Sequence, residues 1–400
     1  MTRGRPSLWE SWVEDACDEV EAAGRWRAPR SFDARGHDGL LTGDPSEAGR
    51  TVVSFASNDY LGLSTHPAVI EGARQALERW GSGSGASRLV TGSRPVHHQL
   101  EQALAEWKGT EAAVVLPTGF AANLSVLSVF GADRAVIHSD ERNHASIIDG
   151  CRLARAEVRI YPHGDLNLLD ANLGDVAGRS IIVSDTVFSM DGDQCDLPAL
   201  VEIAGRHGAL LVLDEAHAVL GPHLTQTDAA DILSVGTLSK TLGSLGGFVA
   251  GPRRFVDLLV NRARPYIFTT APTPADAGAA LAALGVLRSD EGTELKARLA
   301  RLVDRVADAV GADGHPSPIV PVVIGGEAEA VAASATLLEQ GLWVPAIRPP
   351  TVAPGTSRLR VTLSATHTDE QVERLVTGLT ALVTGPGVRG TEKRSADSAA

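Results

Sequence analysis

Between residues 113 and 250 the chain repeats one unit, a short apolar run followed by a stretch with helical spacing. The runs Ala113–Leu116, Ala135–Ile137, Val158–Tyr161, Ile181–Ser184, Leu210–Leu213, Ile232–Val235 and Phe248–Ala250 have the length of strands. Helical stretches such as Pro198–His207, stopped by Gly208, lie between most of them. Repeated βα units lead to an α/β fold with a mainly parallel, seven-stranded sheet and helices on both faces. Ligands of such sheets gather at the carboxyl ends of the strands, so the residues just after each run carry the functional question.

The flanking segments read differently. Residues 1–50 are polar and rich in arginine and turns, with one amphipathic stretch (Trp9, Trp12, Val13, Ala16, Val20), and are expected to form an arm lying over a neighbour. Residues 51–271 would form the large domain. It opens with a strand and turn, VVSFASNDYLGL, and a helix started by Pro67. Residues 272–385 would form a smaller α+β domain, with helices near 274–289 and 292–310, strands at Val320–Ile324 and Leu359–Leu363, and a closing helix capped by Thr368 and Gln371. Residues 386–400 have the composition of a disordered tail.

Charge and cysteine content narrow the class. A formal charge of -13 without a basic block argues against nucleic acid as a partner. Three cysteines (Cys17, Cys151, Cys195), without CxxC or Cys/His spacing, indicate neither a disulfide framework nor a metal site. The start of the chain has acidic residues where a signal peptide needs an apolar core, and no apolar run approaches a membrane span. A cytoplasmic enzyme or binding protein is expected.

Only four lysines are present, and Lys240 stands apart from the others. Lys108 sits where a helix breaks at Gly109, Lys296 lies on a charged helix face, and Lys393 belongs to the polar tail. Lys240 follows a strand, within GTLSKTLGSLGG, among hydroxyls and glycines. A lysine shielded from water loses its proton more readily and can then attack a carbonyl. The plain alternative is a lysine capping a strand–turn–helix junction.

Other strand ends supply the rest of a constellation. Asp214 closes ALLVLD, and His217 follows it. The letters DEAH also mark helicases, but the phosphate loop those enzymes need is missing. Thr118, Gly119 and Phe120 join a strand to a helix N-terminus, a natural phosphate cradle. His144 and Ser189 lie beyond further strands. GSGSGASRLVTG follows a helix and lacks the GxGxxG order, which disfavours a dinucleotide loop. No GxSxG elbow supports a serine hydrolase. Lysine, buried carboxylate, phosphate donors and a flat partner together suit pyridoxal phosphate, whose ring accepts electrons best when an acid faces its nitrogen.

SNDYLGL (57–63), GASRLVTG (85–92), TGFAANL (118–124), NHASIIDG (143–150), VFSMDGD (187–193), LVLDEAH (211–217), TLSK (237–240) and AIRPPTVAPGTSRLR (346–360) resemble, in order, the motifs of the α-oxoamine synthases. The resemblance implies a fold-type I pyridoxal-phosphate enzyme acting as a homodimer with active sites at the interface. It gives Lys240 the cofactor aldehyde, Asp214 the pyridine nitrogen, and His217 and Ser189 the phenolic oxygen. His144 would stack on the ring, and Gly119, Phe120 and Thr237 would serve the phosphate. Thr269 and Thr270 would reach the partner's cofactor phosphate. Arg360, with Asn58 nearby, would take the amino-acid carboxylate, while Thr351 matches the acyl-substrate position and Arg25 an N-terminal substrate arginine. AIRPPTV followed by GTSRLR resembles the branch that joins L-alanine to a pimeloyl thioester of coenzyme A or acyl carrier protein. Glycine with acetyl-CoA or succinyl-CoA, and a cofactor-binding partner subunit without catalysis, are the alternatives. The chain departs from the family at Ala218, where glycine is usual, and in a short 218–236 segment.

Overall fold

The computed structural model describes residues 7–42, 49–224 and 228–384. The tail expected at 386–400 lies outside them. The chain begins with α1 (Leu8–Ala22), β1 (Ser31–Ala34), β2 (Asp38–Thr42) and β3 (Arg50–Ser54). Helix α1 starts at a reciprocal Ser7/Glu10 capping box and buries none of its residues. Next come α2 (Pro67–Trp80) and α3 (Pro95–Lys108).

The alternating region follows as β4 (Ala112–Leu116), α4 (Gly119–Phe130), β5 (Val136–Asp140), α5 (Ala145–Ala154), β6 (Glu157–Tyr161), α6 (Leu166–Gly174), β7 (Ser180–Asp185), α7 (Leu197–His207), β8 (Leu210–Asp214), β9 (Ile232–Thr237) and β10 (Gly247–Gly251). These strands form one seven-stranded sheet in the order β4-β10-β9-β8-β7-β5-β6. Only β10 runs against its neighbours. The sheet expected from the apolar runs is therefore present.

Its two faces are covered differently. Val183, Val212 and Val235 pack with Val126 and Leu127 of α4 on one face. Ile182, Leu211 and Leu213 pack with Leu169 of α6 and Leu200 and Ile203 of α7 on the other. Successive strand residues point to opposite faces, so the middles of β7 (Ile181–Val183) and β8 (Leu210–Leu213) are continuous apolar runs because both sides are covered.

After α8 (Arg253–Arg262) and the short α9 (Arg264–Phe268) come α10 (Pro274–Leu287) and α11 (Asp290–Ala309). Helix α10 crosses α2 very closely: a Cβ on Gly278 would lie 2.5 Å from the Gly72 carbonyl oxygen. The C-terminal part adds β11 (Ile319–Gly325), α12 (Glu327–Glu339), β12 (Leu342–Trp343), β13 (Ala346–Ile347), β14 (Ser357–Thr362) and α13 (Asp369–Thr384). Its three-stranded sheet runs β11-β14-β13.

The N-terminal strands do not lie free. They form a second sheet, β1-β2-β3-β12, in which β3 pairs in parallel with β12 (Leu342 with Val53). The boundary expected at residue 50 falls inside the β2–β3 hairpin, where Leu41 pairs with Arg50. Through β3 the N-terminal strands are thus hydrogen bonded to the C-terminal part, because unpaired strand edges need partners and β12 supplies one.

Candidate functional site

Five parallel strand ends face a single cavity of about 230 Å³. Residues Thr118, Gly119 and Phe120 follow β4, and His144 and Ser146 follow β5. Asp185 ends β7, Asp214 and His217 come from the end of β8, and Thr237, Ser239 and Lys240 come from β9. Chain order places these residues far apart, and the sheet brings them together.

Local chemistry fixes each one. The Thr118 hydroxyl accepts the Ala121 N–H (3.0 Å), starting α4 with its first-turn N–H groups toward the cavity. A Cβ on Gly247 would stand 2.4 Å from the Thr118 carbonyl and the Gly119 nitrogen, so only glycine lets β10 pass beneath this turn. Thr237 hydrogen bonds Ser239 (2.7 Å) and donates to the Gly246 carbonyl (3.1 Å), placing two hydroxyls beside the α4 N-terminus. His144 is the N-cap of α5, its Nδ1 accepting the Ser146 N–H (3.2 Å), and the Phe120 ring stands edge-on to it at 6.5 Å.

Asp214 is buried and receives two donors, Asn123 Nδ2 at 2.6 Å and the Ala216 N–H at 2.9 Å. The Asn123 amide also donates to Ser146 Oγ (2.9 Å), tying the carboxylate to the His144 turn. Lys240 Nζ lies 2.7 Å from His217 Nε2, and His217 Nδ1 lies 2.6 Å from the Tyr60 hydroxyl. Tyr60 donates onward to Asn58 Oδ1 (3.1 Å), which also accepts from the Arg360 guanidinium (3.2 and 3.3 Å). Donor directions along this chain assign the Nδ1–H tautomer to His217. Burial pushes the His217 imidazole well below its ordinary pKa, with Lys240 and Arg360 adding to the effect. Burial also lowers the Lys240 amine, against the pull of Asp214 and Asp185. Burial lowers His144 as well, and pushes the Tyr60 phenol up to about 12.

Arg360 is buried and donates from Nε to the Ser189 carbonyl (2.6 Å). The 187–193 loop that carries Ser189 is clamped by charge. His163 bridges Asp140 (3.0 Å) and Asp193 (2.6 Å), while Asp191 pairs with Arg358 and with Arg142 (3.4 Å). These hydrogen bonds push His163 up to about 9.

Seven of the sequence-derived residues do not line the cavity: Asn58, Ser189 and Arg360 stand outside it, linked to His217 through the Tyr60 hydrogen bonds, and Thr269, Thr270, Thr351 and Arg25 lie elsewhere. Thr269 and Thr270 are exposed, the latter bridged to Ser87. Thr351 is exposed, and Arg25 forms a two-pronged pair with Glu327 (2.8 and 3.2 Å). Ala218 lines a neighbouring cavity of about 200 Å³ with Trp107, Lys108 and Glu215. Sequence reasoning passed over Tyr60, Asn123, Ser146 and Asp185. Asp185 carried a usable signal, because SIIVSD ends in a carboxylate as LLVLD does.

The donor set fits pyridoxal phosphate. One cavity holds an amine for its aldehyde, a carboxylate for its ring nitrogen, and hydroxyls with a helix N-terminus for its phosphate. The chain belongs to the aminotransferase class I and II family, matched over residues 50–379. The 8-amino-7-oxononanoate synthase of Geobacter sulfurreducens is 48% identical over 346 residues, covering 83% of this chain and 88% of that protein. The enzyme of the same name from Paraburkholderia xenovorans is 44% identical over 386 residues, 92% of this chain and 96% of its own. Serine palmitoyltransferase of S. paucimobilis, solved with a bound PLP–myriocin aldimine, superposes with a TM-score of 0.85 at 28% identity, covering 95% of this chain and 98% of that one. This protein is accordingly a pyridoxal-phosphate-dependent enzyme of the acyltransferase type, as the α-oxoamine synthase motifs implied.

Proposed function

We propose that the protein condenses L-alanine with a pimeloyl thioester, releasing carbon dioxide and the free thiol carrier and forming 8-amino-7-oxononanoate for biotin biosynthesis. The observation that carries this reading is the meeting of Lys240, Asp214, His217 and His144 in one cavity, in a chain whose relatives bear that enzyme's name. Pyridoxal phosphate, when bound, supplies an aldehyde that captures amines and a ring that takes up the charge left on the α-carbon.

The protein's own groups divide the remaining work. Lys240, its charge disfavoured by burial, takes the α-proton of the amino acid as general base. His217, fixed by Tyr60, holds the lysine amine in place by accepting from it. With pyridoxal phosphate bound, Asp214 would face the ring nitrogen and favour its protonated form, and the His144 imidazole would serve as the flat partner of the ring. Gly119, Phe120 and Thr237 receive the phosphate, and Ser189 joins His217 near the phenolic oxygen. Arg360 and Asn58 take the substrate carboxylate, a task suited to a preorganised guanidinium. Thr351 serves the acyl substrate, and Arg25 is a substrate-binding arginine of the N-terminal segment.

Thr269 and Thr270, exposed together with Phe268, reach the cofactor phosphate of a second copy in a homodimer. Among the described residues no helix is long and apolar enough to cross a membrane, which accords with a cytoplasmic enzyme. The test is to supply purified protein with L-alanine or glycine and with pimeloyl, acetyl or succinyl thioesters, each on coenzyme A and, for pimeloyl, on acyl carrier protein. Fastest turnover of alanine with a pimeloyl donor supports the reading. Preference for glycine with a short acyl donor refutes it.

A further inference from the structure

Asp185 is the one acid in the cavity to which no part of the reaction has been given. It ends β7 directly beside the end of β8, in register with Asp214. Both carboxyl groups are buried, at 3% and 6% exposure. Asp185 Oδ2 accepts the main-chain N–H of His144 at 2.8 Å. The same turn is stitched to β7 again, because Asn143 accepts from the Asp185 N–H (2.9 Å) and donates to the Val183 carbonyl (2.8 Å). Where the His144 ring stands is therefore determined from β7.

Two adjacent buried acids cannot both ionise cheaply. Asp214 receives two N–H donors of its own, so its oxygens are already engaged by Asn123 and Ala216. Burial and the nearness of Asp214 push Asp185 well above its ordinary pKa, against the opposing effects of the His144 N–H and Lys240. Asp140 at the end of β5 adds to the upward push.

We propose that Asp185 is a positioning residue of the cofactor site: its carboxyl group, fixed at the end of β7, holds the His144 main chain against the ring position and leaves the ring nitrogen to Asp214. The proposal rests on the roles given above to His144 and Asp214. A neutral acid in this place supplies an acceptor oxygen without competing for the pyridine proton.

The test uses the full chain, wild type, Asp185→Asn and Asp185→Ala, with two readouts besides turnover. These are the dissociation constant for pyridoxal phosphate and the pH midpoint of visible absorbance in the loaded protein, which reports protonation at the Lys240 nitrogen. Asparagine keeps an acceptor oxygen and no charge, so Asp185→Asn is expected to bind within about twofold of wild type with an unchanged midpoint. Asp185→Ala leaves the His144 amide unpaired, and about tenfold weaker binding is expected. If it does not fold, Asp185→Ser, too short to reach that amide, takes its place with the same expectation. A midpoint lowered by about one unit in Asp185→Asn would mean that an anion had been removed, and the proposal falls. It falls equally if the alanine or serine variant binds as wild type does. Binding and absorbance read Asp185 whichever substrates are turned over, so a failed substrate assignment is seen separately.

Discussion

Lys240 and His217 are hydrogen bonded at 2.7 Å, with the imidazole held neutral by burial and anchored through Tyr60. A neutral ring can accept from the amine where a protonated one would repel it. The reactive lysine is thus oriented by a residue on a different strand end, and burial lowers its affinity for a proton.

Replacing Lys240 by alanine removes both the amine that captures the cofactor aldehyde and the general base. Turnover should fall by at least about 10³-fold, and the protein should lose its yellow colour. Absorbance spectra and a thiol-release assay check both. The melting temperature should hold or rise, since a buried amine is replaced by an apolar group.

Arg360 offers a guanidinium already oriented by Ser189 and Asn58. Arg360→Ala should raise KM for the amino acid about 10- to 100-fold. Arg360→Lys should recover little of it, because an ammonium cannot reproduce the planar fork. Steady-state kinetics with varied amino acid and saturating thioester separate this from an effect on the acyl donor.

His163 carries a pH signature. Its folded pKa, about 9, lies above the ordinary 6.5, so the stability it contributes is complete below about pH 6.5 and is lost as pH rises through about 9. After allowance for solvent screening of a half-buried group, about 1–2 kcal/mol is at stake. His163→Gln should therefore melt lower than wild type near pH 6, and the gap should close toward pH 10. A gap that widened with pH would contradict the ion-pair account. Thermal melts over this range measure it.

Gly247→Ala would drive a methyl group into the Thr118–Gly119 peptide. The turn must shift, at about 1–3 kcal/mol of stability. Because that turn begins the phosphate cradle, pyridoxal phosphate should bind more weakly as well. Denaturant melts and a cofactor titration on the same sample test both effects.

Much of this was legible in the sequence for a physical reason. Strands buried on both faces read as plain apolar runs, and the residues that end them have nowhere to go but the ligand side of the sheet. Lys240, Asp214, His217 and Thr118 could be placed on strand ends in that way. The Thr368/Gln371 cap was equally readable, and its two reciprocal hydrogen bonds are present. Contacts between distant segments were not legible. The pairing of Val53 with Leu342, the Arg25–Glu327 pair and the Tyr60–His217 bond depend on where helices and turns deliver the chain, and no local pattern encodes that. Asp185 is different: SIIVSD ends in a carboxylate as LLVLD does, but its place beside Asp214 follows only from the pairing of β7 with β8.

The pairing of β3 with β12 has a consequence for biogenesis. Asn58 meets Arg360 across 302 residues of chain, so the carboxylate pocket has no second half until nearly the whole protein has been made. At about 5–20 residues per second, a ribosome leaves the first three strands waiting for roughly 15–60 s with an edge uncovered. During that interval the edge of β3 that β12 will cover has no partner from its own chain.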